Sequence, residues 1–175
     1  DAEDLLQRAV QQFRAEHKTM PARLVLHKTS WFDPAEIEGF RSAASDERIC
    51  SVDLLSVRKS FVRFFREDGP YPPLRGTAVE MSPTETLFYT FGSVDFYRSY
   101  PGLYVPRPLM VRLESIASST NDLLREILAL TKMNWNSTQF VNAEPITVSA
   151  ARSVGDILRY VPAGAPLQAR YSFYM

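Results

Sequence analysis

At 175 residues, with 45% hydrophobic and 23% charged side chains, the chain can bury one core and is short for two domains. Its 20 lysines and arginines balance 20 acids, so net charge gives no sign of a polyanionic partner. A single cysteine, 7 glycines and 12% aromatics exclude disulfide-stapled, collagenous and disordered chains. Ala2, Leu5, Leu6, Ala9, Val10 and Phe13 recur at spacings of three and four, predicting a helix with one apolar stripe that Pro21 must stop. The consecutive apolar residues Leu24, Val25 and Leu26 of Arg23–His27 predict a strand covered on both faces, as in a parallel sheet. Asp33 as N-cap, Pro34 at the first position and a Glu36 carboxylate at the third start a second helix through Ile37 and Phe40. Ile49–Val57 reads as a second strand. Helix, strand, helix, strand implies parallel strands joined by a right-handed crossover and an α/β class.

From Phe61 to Arg112 prolines and aromatics are dense, and short β-prone runs at Ala78–Met81 and Thr86–Phe91 alternate with turns, so hairpins and ordered loops are expected. Helices return at Asn121–Lys132, with Leu123, Leu124, Ile127 and Leu128 inward, and at Ser149–Tyr160, with Ala150, Val154, Ile157 and Leu158 inward. There are no repeats and no low-complexity tract. No apolar run approaches the roughly 20 residues of a membrane span, and the acidic, amphipathic start is not a secretory signal. We therefore expect a cytoplasmic chain that neither spans nor contacts a membrane. It does not open with Met, which fits processing or a longer parent.

Charge is uneven along the chain. Residues 1–53 carry 10 acids and 7 bases, whereas residues 54–113 carry 5 acids and 8 bases. In that basic middle Arg58, Lys59, Arg63 and Arg66 follow a strand, interleaved with Phe61, Phe64 and Phe65. Phosphate recognition needs several cations at one place rather than a high overall charge, because counterions are released locally. The same pattern also fits a solvated basic turn beside an aromatic cluster.

Other chemistries find little support. His17, His27 and Cys50 leave no CxxC or HExxH spacing, there is no GxSxG elbow and no phosphate-binding glycine motif, and Cys50 reads as a small core residue. Metal-dependent nucleases hold divalent cations on carboxylates at strand ends and a nearby helix. Here the first strand ends His27, Lys28, Thr29, Ser30, and the last helix opens Thr147, Val148, Ser149, Ala150, Ala151, without a carboxylate in either place. The polar stretch Lys132, Asn134, Trp135, Asn136 and Gln139, just past a helix, could bind phosphate or bases or could be a capped loop anchored by Trp135.

The succession PARLVLHKTS, EIEGF, SVRKSFVRFF, RGTAV, VPRPL, ILALTKMNWN and EPITV resembles the C-terminal part of the PIWI domain of prokaryotic Argonaute proteins across residues 1–175. The resemblance implies a mixed sheet flanked by helices with a ribonuclease H-like fold, whose early strands precede Asp1. Arg23–His27 would then pair with strands supplied from elsewhere. It also implies guide RNA or DNA and a complementary target as partners, beside a MID domain, the N-terminal part of PIWI and an associated effector protein. Arg58, Lys59, Arg63 and Arg107 would contact guide phosphates, and Lys132, Asn134, Asn136 and Gln139 would line the guide near its 5′ end. The terminal carboxylate of Met175 would approach the 5′-phosphate pocket, with a cation such as Mg²⁺ between them.

Slicing members of that family use a carboxylate-rich tetrad. Its third and fourth positions fall on Thr29 and Ala150, and neighbouring registers (Lys28, Ser30, Ser149, Ala151) supply no carboxylate either. The expectation is a guide-directed binding module without slicer activity or catalytic metal, acting in defence against foreign DNA through an effector or target occlusion. The alternatives are a guide-directed, metal-dependent endonuclease with carboxylates supplied from outside this chain, and a protein-docking surface.

Overall fold

The computed structural model describes residues 1–96, 100, 102, 104–134, 142–162 and 164–165. Helix α1, Ala2–His17, starts where the Asp1 carboxylate accepts the Asp4 N–H at 3.1 Å, with Glu3 and Asp4 in its first turn complementing the helix dipole. It ends at Lys18 in the left-handed conformation, whose N–H closes onto the Arg14 carbonyl. Strand β1 is Arg23–Lys28 and helix α2 is Pro34–Asp46. The capping box expected from Asp33, Pro34 and Glu36 is present: Asp33 caps the Ala35 N–H, and Glu36 reaches back to the Asp33 N–H, both at 2.8 Å.

Strand β2, Ser51–Lys59, pairs in parallel with β1, as the helix-strand alternation requires. Strands β3, Ala78–Ser82, and β4, Glu85–Phe88, form a hairpin, followed by β5, Leu109–Ser115, and the helices α3, Thr120–Leu130, and α4, Ile146–Leu158. The strand order is β1-β2-β5-β4-β3, with every pairing after β1-β2 antiparallel. Among the described residues β1 is an edge strand, although its run of apolar residues suits a covered one.

Strand alternation divides β2 between two cores. Leu54 joins Leu6, Val10, Phe32, Phe40, Ala43 and Ala44 on the α1–α2 side. Leu55 and Val57 join Leu109, Val111, Leu113, Leu123, Leu124, Ile127 and Val148 on the α3–α4 side.

Several sequence expectations are corrected. Strand β5 was not foreseen: Pro106 and Pro108 read as loop, yet Leu109, Val111 and Leu113 alternate inward and insert between β2 and β4. The second strand begins two residues later than predicted, so Cys50 precedes it and is exposed. Helix α4 begins at Ile146, which puts Val148 in the core and leaves Ile157 at the surface.

Near the start of β2, Asp53 is fully buried and fully satisfied. It accepts from Arg23 Nε at 2.8 Å, from the Ala117 and Ser118 N–H groups at 2.7 and 3.0 Å, and from Ser118 Oγ at 2.9 Å. Burial alone would push this carboxyl up, but Arg23 and the two backbone donors outweigh it and hold it below its ordinary value. Arg23 also forks onto Glu126 of α3 at 2.5 and 3.1 Å, so one ion-paired network joins β1, β2, the loop after β5 and α3.

Candidate nucleic-acid interface

The basic residues foreseen after the second strand lie at the C-terminal end of β2, but the pleat separates them. Arg58 projects to the face that carries α1 and α2, and Lys59 to the face that carries α3 and α4. Arg58 stacks on Trp31, its guanidinium carbon 4.6 Å from the ring centroid. Lys59 lies 3.5 Å from a carboxylate oxygen of Glu144, which also receives a forked contact from Arg152, one arm at 2.8 Å. Glu144 thus neutralises two cations ahead of α4.

Beyond β2 the chain leaves regular secondary structure. The Ser60 N–H donates to the Pro108 carbonyl at 3.0 Å, and the Phe64 N–H donates to the Tyr89 hydroxyl at 2.8 Å, pinning the segment to the sheet. Arg63 is exposed on it, Arg66 is tied to Asp68 at 2.7 Å, and Phe61 is 87% exposed with the Arg107 guanidinium 5.9 Å from its ring. Arg107 is therefore brought beside the Arg58–Arg63 segment from a distant part of the sequence. Lys132 is exposed just past α3, whereas Asn134 is half-buried. Asn136 and Gln139, Trp135 and the Met175 carboxylate lie outside the described residues.

Arg75 braces the segment that carries Lys132. Its guanidinium donates to the Leu128 carbonyl at 3.0 Å and to Thr131 Oγ1 at 2.8 Å, while the Thr131 carbonyl accepts the Asn142 N–H at 3.0 Å. Burial lowers the Arg75 pKa from its ordinary value.

Between the end of β1 and α4 lies a cavity of about 540 Å³, lined by His27, Lys28 and Thr29 on one side and by Ala151, Arg152 and Asp156 among others on the other. The α4 residues that line it recur at spacings of three and four, which leaves Ala150 off the lining face and brings Ala151 onto it. Thr29 thus lines the groove, whereas Ala150, the other position singled out in the sequence, does not. Lys28 is held by Glu36 at 2.5 Å, and Asp156 lies 3.4 Å from Arg159. His27 Nδ1 lies 2.8 Å from Thr147 Oγ1, and burial lowers the imidazole pKa, partly offset by the Glu126 charge. Among the described residues no three His, Cys, Asp or Glu side chains come together in a metal-holding group, and no helix is long and apolar enough to cross a membrane.

Four residues of this surface were missed in the sequence: Trp31, Arg112, Glu144 and Asp156. Arg112 becomes a neighbour of Arg58 only through the pairing of β5 with β2, where Ser56 faces Arg112 and Arg58 faces Met110. Nothing local could have shown that. Asp156 was legible as a helical neighbour of Arg152, at a spacing of four.

The open mixed sheet with helices on both faces, and the groove where β1 ends against α4, match the ribonuclease H-like fold that the family resemblance implies. Among solved structures, that architecture is found in Argonautes. A crystal structure of Aa-Ago with externally bound siRNA matches 94% of this chain at 20% identity and a TM-score of 0.65. A crystal structure of A. aeolicus Argonaute matches 91% at 23% identity and 0.66. A structure of Clostridium butyricum Argonaute bound to a guide DNA and a 19-mer target DNA matches 93% at 17% identity and 0.70. The chain spans 22%, 23% and 21% of the lengths of those proteins. No family model and no curated protein matches it. The fold is thus that of the PIWI portion of an Argonaute.

Proposed function

We propose that this chain is the guide-holding, C-terminal portion of an Argonaute PIWI domain, and that it binds without cutting. The observation that carries the reading is the groove between β1 and α4. Thr29, the third tetrad position of the family resemblance, lines it; the fourth, Ala150, sits one residue from the lining Ala151. None of Thr29, Ala150 and Ala151 is a carboxylate, which leaves Asp156 as the acid among the lining residues. Carboxylates are the ligands that Mg²⁺ requires in such sites. The exposed cations Arg58, Arg63 and Arg107, gathered from two separate segments, supply the phosphate contacts that hold a strand by its backbone. Guide and target strands are the partners in this reading. Its biological output is defence against foreign DNA, delivered by an associated effector or by occlusion of the target.

The test is binding and cleavage by the full-length protein with a guide and its complementary target. Guide binding should fall steeply and log-linearly with salt, and the target should stay intact with Mg²⁺ or Mn²⁺. Guide-directed, metal-dependent cuts would overturn the inactive assignment. One observation favours the nuclease reading, the Asp156 carboxylate in the same groove. If that reading holds, cutting must occur and must be abolished in Asp156→Asn.

A further inference from the structure

The loop between β1 and α2 places an indole over two guanidinium groups. Ser56 Oγ donates to the Ser30 carbonyl at 2.9 Å, tying this loop to the middle of β2. The next residue, Trp31, lies against Arg58 at 4.6 Å and Arg112 at 4.8 Å from its ring centroid. The β2-β5 register accounts for the pair. Arg112 faces Ser56 and Met110 faces Arg58, so the two arginines are diagonal neighbours on one face of adjacent strands.

The two guanidiniums differ in what their edges do. Arg112 Nε lies 3.0 Å from Glu114 Oε1, and Glu85 stands 3.9 Å from its Nη1, so its charge is offset by two carboxylates without a hydrogen bond to either. Arg58 has no carboxylate partner among the described residues. A guanidinium stacked on an indole uses its face, and its five in-plane N–H donors remain available for a bidentate contact with an anion. Contact with the ring also restrains a side chain that is otherwise rich in rotamers. Trp31 remains 40% exposed, so the site is reachable from solvent.

We propose that Trp31 is a positioning residue that presents Arg58, edge outward, to a backbone phosphate of the bound strand, with Arg112 lying against the same indole. This rests on the guide-binding reading above and adds to it a residue that touches the strand only through Arg58. The ligand chemistry is a phosphodiester, whose two non-bridging oxygens can accept a bidentate contact from one unneutralised guanidinium edge.

The test is a double-mutant cycle in the full-length protein, reading guide affinity and its salt slope. From the size of an exposed cation–π contact, Trp31→Ala should weaken guide binding about threefold to fivefold. It should also reduce the salt slope, and Trp31→Phe should restore most of both. In an Arg58→Ala background, Trp31→Ala should cost nothing further, because the residue it positions is gone. Losses that add in the double variant, or affinity and slope untouched by Trp31→Ala, would overturn the proposal while leaving guide binding in place. A wild-type protein without salt-dependent guide binding would remove the guide reading itself, and this inference with it. A thermal melt of each variant separates loss of fold from loss of positioning: Trp31→Ala that binds weakly with an unchanged slope and a lowered melting temperature reports a structural residue and refutes the assignment.

Discussion

The two ends of β2 use charge in opposite ways. Near its start Asp53 is 0% exposed and each of its oxygens is occupied, by Arg23, by two backbone N–H groups and by a hydroxyl. At its end Arg58 and Lys59 are exposed, one stacked on an indole with its edge unneutralised and the other sharing a single carboxylate with Arg152. A buried charge is tolerated only when its partners are internal and complete, so Asp53 has nothing left to offer a ligand. A surface charge costs little to leave incompletely paired and can exchange water for phosphate. Within one strand, the saturated end holds the fold together and the open end is available for binding.

That contrast can be broken most forcefully at Asp53. Asp53→Ala should destabilise the protein by about 3–5 kcal/mol in chemical denaturation, because it leaves Arg23 Nε, two backbone N–H groups and the Ser118 hydroxyl without their acceptor. A loss below about 1 kcal/mol would contradict the structural role. Because the folded-state pKa of Asp53 is lowered, the stability it contributes is present above the ordinary carboxylate range, and it drains away as pH falls through the folded value. Acid titration of the wild type should show that loss, and Asp53→Ala should lack it.

Next in size is the open end. Replacing Arg58, Lys59 and Arg63 together by Ala should lower guide affinity at least about tenfold and flatten the salt slope by roughly two. The melting temperature should barely move. Unchanged affinity and slope would favour the protein-docking reading of this surface.

Smaller and opposite in sign is Glu144→Gln. It releases Lys59 and Arg152 from their shared carboxylate and should tighten guide binding by about threefold at low salt, on the scale of an exposed or half-exposed ion pair. Weaker binding would show that Glu144 orients the cations rather than masking them.

The smallest effect belongs to His27, whose folded-state pKa is lowered chiefly by burial. The unfolded chain then takes up its proton at higher pH than the folded one, so stability should decline as pH falls below about 6.5. The denaturation midpoint of His27→Gln, compared with wild type between neutral and mildly acidic pH, should be the less pH-dependent of the two.

Legibility in the sequence tracked the range of the interaction involved. The Asp33, Pro34 and Glu36 cap could be read because all its partners lie within four residues, and Leu24–Leu26 read as a strand because a local run of apolar side chains signals coverage on both faces. Strand β5 was missed because its evidence is the pairing with β2 and β4, while its own neighbourhood holds Pro106 and Pro108. Arg58, Lys59 and Arg63 were recognised as candidates from composition. Read as one cluster, they are not one: the pleat puts Arg58 and Lys59 on opposite faces of the sheet, and Arg63 lies beyond the strand. The groove was legible as residue types at Thr29, but the helical face that selects Ala151 over Ala150 needed the start of α4.

By itself, the sequence determined the local elements, the basic middle and the lack of carboxylates at the end of β1, since each is a property of neighbouring residues. Only the tertiary structure decided which cations stand free. Whether an arginine is spent on a carboxylate, stacked on a ring or left with its edge to solvent depends on which distant strand lies beside it. For Arg58 that was settled by the loop after β1 and by a strand more than fifty residues away.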